Sequence, residues 1–156
     1  MLEVPVPVVV GRGMLRMAIV TWIAATFPVA AGERLTGRAR VLDGDTIVVG
    51  GIAVRLKGVA APEAAHFGSP GGPGGEEAKA YMVELVEKGT VVCDLTRERT
   101  HGRRAGYCYV DGQDVAEALT SAGLAWDCPR FSKGRYAKAE RVEAPGLPFP
   151  SYCQPE

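Results

Sequence analysis

A small α+β domain, mainly β, is what this 156-residue chain predicts. Three observations carry that expectation. Short runs rich in β-branched residues alternate polar with apolar positions, the period of half-buried strands. Glycine-rich turn signals separate them. Two longer stretches place apolar residues at the 3.6-residue spacing of amphipathic helices. The length suits one domain with a real core.

The elements follow in order. Arg38–Leu42 alternates, and Thr46–Val49 is a β-branched run; both read as strands. Gly50-Gly51 is a hairpin signal, and Ile52–Val59 makes a third strand. Ala64–Gly75, AAHFGSPGGPGG, is too rich in Gly and Pro to be regular. Glu76–Lys88 is a helix with Ala78, Tyr81, Met82, Leu85 and Val86 on one face, and Gly89 is placed to end it. Thr90–Leu95 and Ala105–Val110 are strands of a hairpin centred near residue 100, and Asp111-Gly112 is a turn. Asp114 caps a second helix, with Glu117 as its capping-box partner; Val115, Ala118, Leu119 and Ala122 face inward. A third, polar helix is expected over Lys133–Val142, followed by a tail carrying Pro145, Pro148, Pro150 and Pro155. There is no internal repeat.

The organisation this gives is an N-terminal segment at 1–31, a domain at 32–143 and a Pro-rich tail at 144–156. Arg12 and Arg16 precede an apolar run from Met17 to Ala31. Val29-Ala30-Ala31 offers small residues where a signal peptidase reads. The run is shorter than the ~20 residues of a spanning helix. A secreted or periplasmic protein is expected, with an uncleaved membrane anchor as the alternative. Cys93, Cys108, Cys128 and Cys153 all follow this segment. An even count in an exported domain points to two disulfides. Cys93 and Cys108 flank one hairpin, which favours Cys93–Cys108 and Cys128–Cys153; free buried cysteines are the alternative. Without a CxxC or a close Cys/His pair, zinc is disfavoured.

The 18 basic and 18 acidic side chains cancel. A nonspecific nucleic-acid binder usually carries a basic excess, so any phosphate site here is local. The residues for one lie close together. Ala39–Glu63, ARVLDGDTIVVGGIAVRLKGVAAPE, contains a DGDT turn (Asp43, Gly44, Asp45, Thr46), an arginine on a strand (Arg55) and a Pro-Glu step (Pro62, Glu63). A Gly-Arg step, Gly102-Arg103, opens a later strand. Phosphodiester cleavage needs a positioned water and neutralisation of the charge that develops on phosphorus. Carboxylates and guanidinium groups are suited to that work. Alone, each residue has a plainer reading: Arg55 as a surface ion pair, Asp43 and Asp45 as turn residues, Glu63 as a capping group.

DGDT, then Arg-Leu, then Pro-Glu, then Gly-Arg at these spacings resembles the staphylococcal nuclease-like (thermonuclease) family, over roughly Gly37 to Glu140. The resemblance implies a five-stranded OB-fold barrel flanked by about three helices. It implies phosphodiester hydrolysis of DNA or RNA, single-stranded substrates being expected. Arg55 and Arg103 match the family's two arginines, Glu63 the glutamate that positions or activates water, and Asp45 a calcium-binding aspartate. Arg104 is the neighbour that could be confused with Arg103. A monomer is expected, and no stable protein partner is implied.

Three departures matter. Ala60 stands where the family has an acidic calcium ligand, and calcium wants six to eight oxygens. Asp45, the Ala61 carbonyl and a Glu63-bound water are left, with Asp43 as a possible substitute. Arg99, Thr100 and His101 replace the residues before Gly-Arg, where His101 could still donate to a phosphate. Phe131 aligns with one base-stacking tyrosine and Pro129 with the other. Phe131 and Tyr136 are candidate stacking residues; with Trp126, they could equally pack a helix on the barrel. A noncatalytic OB-fold binding module that has lost its metal is therefore the rival function.

Overall fold

The computed structural model describes residues 32–141 and 149–155. The expected export segment at 1–31 and tail residues 142–148 and 156 lie outside the described residues. The strands are β1 (Arg34–Gly37), β2 (Ala39–Asp43), β3 (Thr46–Val49), β4 (Ile52–Leu56), β5 (Val59–Ala60), β6 (Val91–Thr100), β7 (Arg103–Val110), β8 (Gln113–Asp114) and β9 (Trp126–Asp127). The helices are α1 (Gly75–Glu87), α2 (Val115–Ser121) and α3 (Pro129–Ser132), and Ser151–Cys153 forms one 3-10 turn.

The main sheet runs β1-β6-β7-β4-β3-β2, with β8 on β7. All neighbours are antiparallel except β4 and β7. Only Arg38 separates β1 from β2, so the two ends of this path are halves of one bent strand. That continuity turns the sheet into a five-stranded OB-like barrel. A strand bent between two partners leaves no free edge at the seam. β5 and β9 pair in a small second sheet. The barrel interior holds Ile47, Val49, Val54, Leu56, Val91 and Val110, and α1 closes it with Met82 and Leu85. The apolar face of α1 is as expected, although Tyr81 is only partly buried.

Two expected elements differ. The third strand breaks after Leu56, and its end, Val59–Ala60, turns away to pair with Trp126–Asp127. The third helix is short and lies earlier, at Pro129–Ser132, rather than over Lys133–Val142. Proline sits in its first turn, where a missing N–H costs nothing. Lys133 ends it in the left-handed region at φ 55°, and turns follow. Asp114 caps α2 as expected, accepting from the Ala116 and Glu117 amides.

Both disulfides form as paired from the sequence: Cys93–Cys108 and Cys128–Cys153. Cys93 and Cys108 are opposite each other in the β6–β7 ladder. Two disulfides suit an oxidising, non-cytosolic compartment. Among the described residues no helix is long and apolar enough to cross a membrane.

The β2–β3 turn docks against α1 through Gly44. A Cβ there would stand 2.8 Å from the Ala78 Cβ and 2.9 Å from the Ala61 Cβ. This close approach seats Asp43 and Asp45 on either side of Gly44. Gly44→Ala is expected to cost about 1–3 kcal/mol by overpacking. A lower urea midpoint at unchanged slope would show it.

Candidate active site

Strand register assembles the site. Thr46 is the ladder partner of Arg55 in β3–β4, and Arg55 is the partner of Ala105 in β4–β7. Arg103 lies two residues before Ala105 and so shares its face of the sheet. The β6–β7 turn is two residues, His101 (φ 48°) and Gly102 (φ 79°), with both φ values positive, as tight hairpins require. It sets Arg103 as the first residue of β7. Alternation separates the neighbouring arginines. Arg103 Nη1 donates to Thr46 Oγ1 at 3.1 Å, whereas Arg104 Nη1 pairs with Glu33 at 2.8 Å.

Asp45 is the centre of this cluster. It is 2% exposed and takes a two-pronged contact from Arg55: Nη1 to Oδ1 at 2.9 Å and Nη2 to Oδ2 at 2.8 Å. Thr46 Oγ1 donates to Oδ1 at 2.9 Å, and the Ala61 amide approaches Oδ2 at 3.4 Å. A continuous chain Arg103–Thr46–Asp45–Arg55 thus joins two arginines that are distant in sequence. Burial pushes the Asp45 carboxyl up, opposed by the Arg55 charge and the Thr46 hydroxyl. The paired geometry, with both oxygens on a guanidinium, holds it as a carboxylate.

Asp43 and Glu63 form the second part. Asp43 Oδ1 accepts the Gly44 amide at 2.8 Å and the Ala64 amide at 2.9 Å, tying the turn to the segment after Pro62. Glu63 is exposed, yet its carboxyl is pushed up to about 7. The hydrogen bond with Asp43 is the largest cause, followed by burial and the charges of Asp43 and Asp45, with Arg55 opposing. The backbone holds Glu63 firmly. Its carbonyl accepts from the Gly72 amide at 2.8 Å, and a Cβ at Gly75 would stand 2.0 Å from that oxygen. Only glycine fits the first turn of α1 at this distance. The Gly/Pro segment is therefore pinned to the site at its ends, with the Ala65 amide on Glu76.

The other sequence candidates divide. His101 is exposed in the β6–β7 turn beside Arg103. Phe131 is 41% exposed on α3, with the Arg130 guanidinium 5.6 Å from its ring centroid. Tyr136 is not brought to the site: it is 2% exposed, its hydroxyl faces Asp114, and it packs in the core. Burial leaves it no face on which a base could stack. Trp126 is buried as well, beside Ala60, Cys128 and Cys153.

The calcium ion implied by the resemblance fails on donor chemistry. Ala60 offers no side-chain oxygen and is fully buried against the tail disulfide. Both Asp45 oxygens are committed to Arg55, and Asp43 is committed to two amides and to Glu63. Among the described residues no group of three His, Cys, Asp or Glu side chains could hold a metal ion. Asp45 and Asp43, the expected metal ligands, are instead held by contacts within the protein. Asp45 is the counter-ion of an arginine and Asp43 the partner of a glutamate.

One site residue escaped sequence reasoning. Tyr152 lies outside the resemblance, but its phenol interacts with the Arg55 guanidinium and feels the charges of Asp45 and Glu63. The Cys128–Cys153 pairing was the available signal, because it ties the neighbour of Tyr152 to the barrel.

Removing Arg55 would strand a buried carboxylate. Arg55→Ala is expected to destabilise the fold by about 3–5 kcal/mol, and adding Asp45→Ala should recover much of that loss. Urea unfolding of the two single variants and the double variant would measure it.

Comparison with known proteins agrees with the motifs. Residues 53–144 match the model of the staphylococcal nuclease homologue family. The chain is 33% identical over 131 residues to the succinoglycan biosynthesis protein ExoI of Rhizobium meliloti, covering 80% of this chain and 69% of that one. It is 32% identical over 96 residues to the probable staphylococcal-like nuclease CAN1 of Oryza sativa subsp. japonica, 62% of this chain and 26% of that one. It is 45% identical over 56 residues to the probable endonuclease LCL3 of Schizophyllum commune, 36% of this chain and 19% of that one. The chain thus spans about a quarter or less of those two nuclease-named relatives. With its Arg55, Glu63 and Arg103 in one cluster on an OB-like barrel, this chain belongs to the staphylococcal nuclease homologue family.

Proposed function

We propose that this protein is an exported phosphodiesterase that hydrolyses single-stranded DNA or RNA with its own side chains. The observation that carries the reading is the Arg103–Thr46–Asp45–Arg55 chain, which sets two guanidinium groups on one face of the barrel beside Glu63. Arg55 and Arg103 would bind the phosphate and offset the charge that grows on its oxygens. Glu63 would take a proton from the attacking water. The water oxygen bonds to phosphorus, the bond to the leaving oxygen breaks, and solvent protonates the leaving group. A base works best when its pKa lies near the working pH, and Glu63, at about 7, meets that condition. Asp43 tunes it. Calcium has no place in this scheme, because the acids that would hold it are committed elsewhere. Export rests on the two disulfides and on the N-terminal segment described from the sequence.

The second reading, a noncatalytic OB-fold binding module, is favoured by one observation. Asp45 closes on Arg55 instead of leaving the guanidinium open, and a phosphate would have to share it. Restoring the missing acid does not separate the readings cleanly. Ala60→Asp would bury a carboxylate against Trp126 and the disulfide, which costs stability unless it is paired.

The pH profile separates them. The sign follows from Glu63 being active as the carboxylate: cleavage of a single-stranded oligonucleotide should rise with pH through about 7. Glu63→Gln should abolish it. Asp43→Asn removes the neighbouring carboxylate and should move the midpoint to lower pH. A flat profile in the wild type, or full activity in Glu63→Gln, would remove Glu63 as the base. No cleavage by folded protein at any pH would favour the binding module.

A further inference from the structure

The tail brings a residue to the site that no motif of the barrel supplies. Cys153 is fully buried and bonded to Cys128, the residue that precedes α3. It packs with Ala60, Trp126 and Cys128 in a cluster separate from the barrel core. Ala60 adjoins Ala61, whose amide reaches Asp45. The disulfide therefore seats the Ser151–Cys153 turn against Ala60, next to the segment that meets Asp45. In that turn Tyr152 stays half-exposed at 50% while its neighbour Cys153 is fully buried. Its phenol interacts with the Arg55 guanidinium. A phenol both accepts and donates. The oxygen can accept from Arg55 while the O–H remains free to donate to an anion.

We propose that Tyr152, anchored through its neighbour Cys153 by the Cys128–Cys153 disulfide, is a phosphate-contacting residue of this site. The inference rests on the phosphodiesterase reading, since it needs Arg55 to face a phosphate. It also gives the tail disulfide a role beyond stability: the bridge positions a side chain for substrate. The ligand class is an anionic phosphodiester of a single strand. The exposed ring adds a face on which a base can stack.

The test measures binding as well as cleavage, with the full oxidised chain and a fluorescein-labelled single-stranded oligothymidylate followed by anisotropy. The proteins are wild type, Arg103→Gln, Tyr152→Phe, the Cys128→Ser/Cys153→Ser pair, and that pair combined with Tyr152→Phe. Tyr152→Phe removes one hydroxyl from an exposed side chain and should leave the fold intact. Its affinity should fall about tenfold or more, the loss of one hydrogen bond to an anion. Removing the disulfide should produce a comparable loss, and adding Tyr152→Phe to it should cost nothing more. Cleavage should show the same defect in KM rather than in kcat. Wild-type affinity in Tyr152→Phe, or full additivity of the two losses, overturns the inference. If binding depends on Arg103 but not on Tyr152, only this inference falls. If binding ignores Arg103, the phosphate-site reading falls with it.

Discussion

The Asp45–Arg55 pair is the interaction on which the site depends. A carboxylate at 2% exposure is unfavourable in the barrel wall unless a partner meets it. Arg55 meets it with two nitrogens, Thr46 with a hydroxyl and Ala61 with an amide. Each partner comes from a different part of the chain. Thr46 is next in the same turn, Arg55 lies across the ladder, and Ala61 follows the break after β4. Satisfying one carboxylate therefore fixes the β2–β3 turn, the β4 strand and the segment that carries Glu63. Arg103 joins through Thr46 and brings the β6–β7 hairpin into the same network.

The same pair underlies the proposed metal-independent reaction. With Ala60 in place of an acid, one negative charge is missing from the site. Cys153 of the tail packs with Ala60, and the Arg55 guanidinium pairs with Asp45. In the proposed reaction the positive charge near the phosphate comes from Arg55 and Arg103. Asp43 lies beside Glu63 and, with burial, pushes the Glu63 carboxyl up. Ala60, the tail disulfide and the raised Glu63 carboxyl thus lie in one neighbourhood of the structure.

Much of this was legible in the sequence because it follows local rules. The hairpin signals, the helix faces of α1 and α2, the Asp114 cap and both disulfides came from turn chemistry, periodicity and cysteine arithmetic. The motif grouped Arg55, Glu63 and Arg103 as candidates, and strand alternation then distinguishes Arg103 from Arg104. What was not legible depends on tertiary contact. Tyr136 has the composition of a stacking residue, yet burial against Asp114 decides its role. The third helix is cut short because Lys133 turns left-handed, which polar composition does not announce. The Asp45–Arg55 contact and the arrival of Tyr152 need the folded barrel and a closed disulfide. No spacing in the chain encodes them.

The central claim is that arginine, not calcium, supplies the positive charge at this site. The direct measurement is cleavage of a single-stranded oligonucleotide by the oxidised full chain at pH 8, in chelator and in millimolar calcium. The account predicts the same rate in both, abolished by Glu63→Gln in both. A rate that appears only with calcium would contradict it, because Asp45 would then have to leave Arg55 to bind the ion.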